Sequence, residues 1–569
     1  MGKLGENNQE CTGLEALFLA TLDSGVELVT GVPGYPITTL MERFLSEAAE
    51  GDTKGDTEKR SSPSESSSGF EAKWLTNEKV ALEIALGASS AGRRALVLVK
   101  HVGMNLLSDP LITSVTHTIG AGLVIIAGDD PGVKGSQNEQ DSRWYGKLVE
   151  VAVFDPHDPD SAYRAVRRAY TLSEETKVPV ILRITVGLEK SQGKINRLSI
   201  SKKPFPEFDR SIWALRMREK HRHFHEKIYP LFEAEAETTG LNVLVPGRAA
   251  AMKTGEGENK IKEEEKPWKE TGTGIISSGF VSALVKEVLK KHPEVSHLSL
   301  NLVNPLPFQK IRAFLEKHEI VLVAEESEPF IEEQLCITGK IRGKKTGHLP
   351  YGQVLSGDLE FALEHVMEGR GEKPIEVAGT REVGENEEGR KRKKSRTSIC
   401  EDCSFLPLYR LLRGLDVRVA GDMGCSVRSA PEPLEAVDVS FALGSAISVA
   451  CGFEKKGIAV IGDFALAHSG ILGLMNAVHT GADVLVLVLD NRVAAMTGGQ
   501  EVPDLQPVVE ALVPDTRVFE LGGGVKENDE NGEKNDESSD SGLLSMIEEK
   551  LCQKGVSVIF IRGKCSRYL

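Results

Sequence analysis

Residues 457–500, GIAVIGDFALAHSGILGLMNAVHTGADVLVLVLDNRVAAMTGGQ, constrain this chain more than any other stretch. An apolar run at 458–461 ends in Gly462-Asp463, and a second at 484–489 ends in Asp490-Asn491. Between them Ile471, Leu474, Met475 and Val478 recur at helical spacing. Two short apolar runs joined by one helix predict a βαβ unit with both strands buried in a parallel sheet. Such sheets bind ligands at the carboxyl ends of their strands. Asp463 and Asn491 stand at those ends, 28 residues apart, the span of one crossover. Their side-chain oxygens suit a hard cation such as Mg²⁺ that also grips phosphate.

The rest of the chain sets outer bounds. Its 569 residues suffice for about three domains. A net charge of −15 argues against a nucleic-acid partner. No apolar run approaches the length of a membrane span, and the opening MGKLGENNQE has no apolar signal region. The eight cysteines are scattered, unlike a secreted disulfide framework, so the expected compartment is the reducing cytoplasm. Four polar stretches, 50–69, 255–265, 384–396 and 526–541, carry too little apolar surface to offset the entropy of ordering. The basic run 391–394 belongs to one of them and reads as solvated linker rather than a binding patch.

With those stretches set aside, three α/β blocks remain. In the first, residues 1–200, a helix at 14–23 and a strand at 26–30 precede the tight loop Gly34-Tyr35-Pro36 and a helix at 37–45. A helix at 80–91 and strands at 95–99, 123–127 and 178–184 follow. Residues 201–234 form a charged helical connector. The middle block, 235–370, has strands at 242–245, 274–278, 295–302 and 320–324, with helices at 280–290 and 308–316. After a charged linker at 371–397, the last block, 398–569, holds a helix at 406–412, a strand at 418–420, a small-residue helix at 441–451, the central βαβ unit and a final strand at 556–561. Alternating strands and helices predict doubly wound parallel sheets.

The central stretch carries a Gly-Asp turn followed one crossover later by Asn, with HSG (468–470), NAV (476–478), LDNR (489–492) and AMTG (495–498) around it. In that order these pieces resemble the large subunit of the indolepyruvate:ferredoxin oxidoreductases, which are thiamine diphosphate enzymes. GVPGYP (31–36), NEKVALEIALGASSAG (77–92), KHVGMNLLSDPL (100–111), SQNEQDSRWY (136–145) and GDMGC (421–425) extend the resemblance over nearly the whole chain outside the insertions.

The resemblance implies a pyrimidine-binding domain at 1–200, a transketolase C-terminal-like domain at 235–370 with a packing and dimer-building role, and a diphosphate-binding domain at 398–569. It implies that Asp463, Asn491 and the carbonyl of Val493 hold Mg²⁺ and, through it, the diphosphate. Gly34, Tyr35, Pro36, Gly424, Gly444, Ser445, Gly462, Phe464, Met496 and Thr497 would line the cofactor. Small residues around Gly444 let backbone approach a diphosphate closely. Glu78 would hydrogen-bond the aminopyrimidine ring and so promote formation of the thiazolium ylid. As a plain helix-start residue it would instead be an exposed glutamate favoured by the helix dipole.

Other candidates have competing roles. Asn105 and Ser108 follow a strand in an expected loop, where they would either face the substrate or tie the loop down. Gln140 and Arg143 would clamp the carboxylate of a 2-oxo acid, or Arg143 would form a surface ion pair. Lys100 and His101 would neutralise a carboxylate or diphosphate. His101 replaces a family Gln and is given no proton-transfer role.

The implied activity is oxidative decarboxylation of an aryl 2-oxo acid, indolepyruvate-like, to acyl-CoA with electrons passed to ferredoxin. A small (beta) subunit, ferredoxin or a separate iron–sulfur carrier, and a dimer or heterotetramer would follow. Cys400, Cys403, Cys425 and Cys565 match the family's ligands to one [4Fe–4S] cluster; inert thiols or a zinc site are the alternatives for this set. The sequence departs from the family in three places. It has no ferredoxin-like tail of Cys-x₂-Cys runs, Phe464-Ala465 follows the Gly-Asp turn, and CEDC replaces CPGCPH. These departures keep open a non-oxidative 2-oxoacid decarboxylase and a non-catalytic subunit of such a complex.

Overall fold

The computed structural model describes residues 8–53, 70–136, 138–201, 204–247, 272–335, 339–367, 399–440, 442–453, 455–521 and 537–568. The stretches 255–265 and 384–396, with the basic run 391–394 and the whole linker 371–397, lie outside them. Two of the expected insertions are shorter than their composition suggests, because the helices Thr38–Thr53 and Glu537–Cys552 extend into them. The protein is α/β with mostly parallel sheets, and it divides into two compact units, Met1–Arg390 and Lys391–Leu569.

The first unit holds two large sheets. The seven-stranded one runs Leu302–Asn304, Val153–Phe154, Val180–Thr185, Leu123–Asp129, Ala95–Lys100, Leu28–Gly31, Glu71–Trp74. Only its first pairing is antiparallel. The five-stranded sheet runs Ile341–Arg342, Ile320–Ala324, Thr273–Ser278, Ser296–Leu300, Val243–Val245, antiparallel only at its last pair. Capping boxes at Thr12 and Asp158 start the helices Gly13–Asp23 and Pro159–Thr176.

The strand expected at 295–302 is in fact two. Ser296–Leu300 stays in the five-stranded sheet, while Leu302–Asn304 crosses to the seven-stranded one. The Asn242 side chain permits the break, its Oδ1 accepting from the backbone N–H groups of Asn301 and Leu302 at 2.8 and 2.9 Å. A small antiparallel strap, Asn8–Thr12 with Gln192–Asn196, also escaped the sequence reading. Its composition, NQECT and QGKIN, carries no apolar alternation.

The second unit is built on one fully parallel sheet, Val419–Gly421, Gly457–Gly462, Val484–Asp490, Val556–Arg562, Thr516–Glu520. Side chains alternate between its faces. Ile461, Val484, Val486, Val488 and Val558 pack under the helices Ala446–Ala450, Ile471–Thr480 and Gln506–Leu512. Ile458, Val460, Leu485, Leu487 and Ile559 pack under Leu406–Arg413 and Glu537–Cys552. Burial on both faces explains the unbroken apolar run VLVLVLD, and each such side chain contributes about 1.5–3 kcal/mol. Because all five strands run the same way, Gly421, Gly462 and Asp490 share the carboxyl edge of the sheet.

Candidate active site

In the second unit the carboxyl edge brings the predicted cation ligands together. Asp463 follows directly on the strand Gly457–Gly462 and is 8 % exposed. Its Oδ1 accepts from the N–H of Phe464 at 2.7 Å, and its Oδ2 accepts from those of Asn491 and Arg492 at 3.0 and 2.6 Å. Burial pushes its pKa up to about 6, against the pull of these backbone donors. Asn491 Oδ1 accepts from Val493 N–H at 3.0 Å. A carboxylate and an amide oxygen thus meet at the carboxyl edge of the sheet, and such hard oxygen donors fit Mg²⁺. The sequence reading missed how the chain bends there. Arg492 sits in the left-handed region at φ 61° and is held by Asp490 at 2.9 Å and Asp504 at 3.1 Å. Met496 and Thr497 follow in the next turn, where the Thr497 N–H donates to the Ala494 carbonyl at 3.2 Å.

The expected helix at 441–451 is helical only over Ala446–Ala450. Gly444, at φ +84°, makes a turn instead, and a Cβ there would lie 2.1 Å from Ser469 Oγ and 2.9 Å from Gly470 N. Ser469 Oγ donates to the Leu443 carbonyl at 2.8 Å, and Ser445 Oγ accepts from Ala442 N–H at 3.1 Å. Gly424 opens the short 3₁₀ turn Cys425–Ser429. The Gly444 turn thus packs against the segment that follows Asp463, and with the Gly424 turn it offers backbone N–H groups that would cradle a diphosphate.

Cys403 and Cys425 have each other, Cys400 and Cys565 as electrostatic neighbours. Burial first, then these thiols, push Cys425 up to about 11, and burial likewise raises Cys403. The loop after Cys403 is fastened to the chain end, with Ser404 Oγ donating to the Lys564 carbonyl at 2.9 Å. Among the described residues, no group of three or more His, Cys, Asp or Glu side chains is arranged as a metal site.

In the first unit, Glu78 begins the helix Glu78–Ser90, capped by Asn77 through Lys79 N–H at 2.9 Å. It is 5 % exposed, unlike an ordinary first-turn glutamate. The side chain lies against Gly103, where a Cβ would stand 2.7 Å from Glu78 Cγ and 2.8 Å from its Oε1. Lys100 is an electrostatic neighbour, and burial lowers the lysine's pKa while Glu78 and Asp130 oppose that shift. Gly34 packs on the Lys100 side chain, Tyr35 on Gly135, and Pro36 on Gly128. The GVPGYP loop therefore covers the end of the strand Ala95–Lys100, close to Glu78.

Several predicted residues have other roles. Asn105 and Ser108 are not in a loop but on the helix Gly103–His117. Ser108 Oγ donates back to the Met104 carbonyl at 2.6 Å, whereas Asn105 is exposed and accepts from the Tyr145 hydroxyl. His101 is buried and bonded to the Asn138 carbonyl at 3.0 Å.

Arg143 is neither a surface residue nor free for a substrate. It is fully buried, and its guanidinium bonds Asp141, Glu325, Ser278 and the carbonyls of Glu326 and Glu328. Arg183 lies in the same network with Asp129 at 2.6 Å and Asp155 at 3.3 Å. Burial raises Asp129 and Glu325, while the two arginines hold Asp141 below the usual carboxylate range. Buried charges are tolerated only when paired, so the network fixes the two sheets of this unit to each other.

Comparison with known proteins agrees with this geometry. Residues 422–516 match the family described as thiamine pyrophosphate enzyme, C-terminal TPP binding domain. Indolepyruvate oxidoreductase subunit IorA of Archaeoglobus fulgidus is 30 % identical over 515 residues, covering 86 % of this chain and 76 % of that protein. The same subunit of Thermococcus kodakarensis is 30 % identical over 535 residues with the same coverage. Sulfopyruvate decarboxylase subunit alpha of Methanococcus maripaludis is 27 % identical over 173 residues, 30 % of this chain and 91 % of that protein. The chain therefore belongs to the indolepyruvate oxidoreductase subunit IorA family of thiamine diphosphate enzymes.

Proposed function

We propose that the chain converts an aryl 2-oxo acid, CoA and an oxidised carrier to acyl-CoA, CO₂ and reduced carrier. It would work in the cytoplasm as the large subunit of a complex with a small partner subunit. The observation that carries this reading is the meeting of Asp463, Asn491 and Val493 at the carboxyl edge of a parallel sheet, in a chain of this family. Among the described residues no helix is long and apolar enough to cross a membrane.

Thiamine diphosphate, when bound, supplies the nucleophilic carbon and the electron sink that decarboxylation of a 2-oxo acid needs. Asp463, Asn491 and the Val493 carbonyl would hold Mg²⁺, and the turns at Gly424 and Gly444 would receive the diphosphate. By the family resemblance, Glu78 would offer its buried carboxyl to an aminopyrimidine ring, with Gly34, Tyr35 and Pro36 lining the same end of the first unit. Asn105, exposed two residues beyond Gly103, is the remaining candidate for substrate contact. Cys400, Cys403, Cys425 and Cys565 would ligate one [4Fe–4S] cluster and hand electrons to ferredoxin. That Cys403 and Cys425 have the other thiols of the set as electrostatic neighbours supports this, and four thiolates are what such a cluster needs.

A non-oxidative decarboxylase is the second reading, favoured by the similarity of part of the chain to the sulfopyruvate decarboxylase subunit. Product analysis separates the two. The anaerobically reconstituted complex, given indolepyruvate, CoA and ferredoxin, should form acyl-CoA and contain about four irons per chain of this type, the cubane stoichiometry. Cys403→Ser should lose the iron and the acyl-CoA product while still binding thiamine diphosphate. Aldehyde formed without any electron acceptor, from iron-free protein, would establish the second reading instead.

A further inference from the structure

Asp422 is a carboxyl of the second unit outside the proposed cofactor ligands, and its surroundings leave it little freedom. It is fully buried in the turn after the strand Val419–Gly421. Its backbone is stapled by Ser426, whose Oγ accepts from Asp422 N–H at 3.0 Å and donates to Asp422 carbonyl at 2.8 Å. Its Oδ1 accepts from Gly444 N–H at 2.6 Å. Its Oδ2 is buried without a hydrogen-bond partner and points toward Gly424, lying 3.6 Å from where a Cβ would stand there. The Gly444 turn in turn locks onto Ser469 and Gly470, just beyond Asp463. One carboxyl thus ties together the backbone segments that form the cradle.

We infer that Asp422 is a positioning residue and charge switch beneath the diphosphate cradle. It joins the Gly424 and Gly444 turns and favours binding of the diphosphate while it carries a proton. The inference rests on the thiamine diphosphate assignment above and extends it to a residue that does not touch the cofactor.

A buried carboxylate with one bare oxygen is costly, which favours the protonated form of Asp422. Burial pushes its pKa up to about 7, against the Gly444 and Met423 N–H groups and His468. The ionisable side chains that face it are His468, from the π-helical turn Leu466–Gly470, and Tyr409, from the helix Leu406–Arg413. Below that pKa, Asp422 is neutral and the cradle presents N–H groups to the diphosphate. Above it, a negative charge lies directly under the turns that must receive an anion, in a medium of low dielectric. Affinity for the cofactor should therefore fall as pH rises through about 7, by up to tenfold per pH unit, the limit for one linked proton.

The test is a set of titrations of the full chain with thiamine diphosphate at saturating Mg²⁺, from pH 6 to 8.5, for wild type and Asp422→Asn. The cofactor's own ionisation is common to both proteins, so the difference between their profiles reports Asp422. The amide keeps the shape and the Gly444 contact but cannot acquire charge. Asp422→Asn should bind as tightly as wild type at pH 6 and at least fivefold more tightly at pH 8.5. If the variant folds poorly, proton uptake by the wild type decides instead. It is measured at pH 7.5 in buffers of differing ionisation heat. Binding should then draw up a further fraction of a proton beyond the cofactor's own. Parallel profiles, or no such extra uptake, would overturn the inference and leave the cofactor assignment standing. No cofactor binding at any pH would remove the assignment itself, and the inference with it.

Discussion

Asp463→Ala should abolish Mg²⁺-dependent binding of thiamine diphosphate. Asp463 is the only charged protein ligand in the proposed set, and a hard divalent cation bridging phosphates depends on such a charge. The structure holds this carboxylate with three backbone N–H groups, which orient it without neutralising it. Alanine removes the charge and leaves those donors without their acceptor. Asn491→Ala, which deletes a neutral ligand, should weaken binding less. Calorimetric titration with the cofactor and Mg²⁺ checks both variants. Unchanged affinity for Asp463→Ala would show that the cation lies elsewhere.

Glu78→Gln should leave the cofactor bound and slow proton exchange at the thiazolium C2 by about 10²–10⁴-fold, the usual cost of losing a positioned acid–base group. The amide fits the space against Gly103, so packing is kept while the ionisable carboxyl is lost. Proton exchange followed by NMR isolates this step from substrate binding and electron transfer. An exchange rate equal to wild type would remove Glu78 from the chemistry.

Legibility from sequence followed locality. Asp463 and Asn491 could be found because each directly follows an apolar run whose end marks the sheet edge. The alternation of strands and helices likewise exposed the α/β class. Glu78 was identified by motif alone. Its burial depends on Gly103, which arrives from the next helix, and no periodicity reports that.

Arg143 shows the limit most clearly. Its local sequence, DSRWY, reads as a polar surface turn, but Glu325 and the carbonyls at 326 and 328 come from 182 or more residues away. The strand break at Asn301 has the same origin, since Asn242 supplies the compensating oxygen from 59 residues upstream. The 441–451 segment was misjudged for a different reason. Small residues favour helix and close approach alike, and only the positive φ of Gly444 decides between them.

The central claim is that this chain decarboxylates a 2-oxo acid with thiamine diphosphate. The most direct measurement supplies the anaerobic complex of the chain and its small-subunit partner with an arylpyruvate labelled at the carboxyl carbon. Thiamine diphosphate and Mg²⁺ are then added or withheld. The account predicts labelled CO₂ only when both are present. Release without the cofactor, or no release when it is bound, would contradict it.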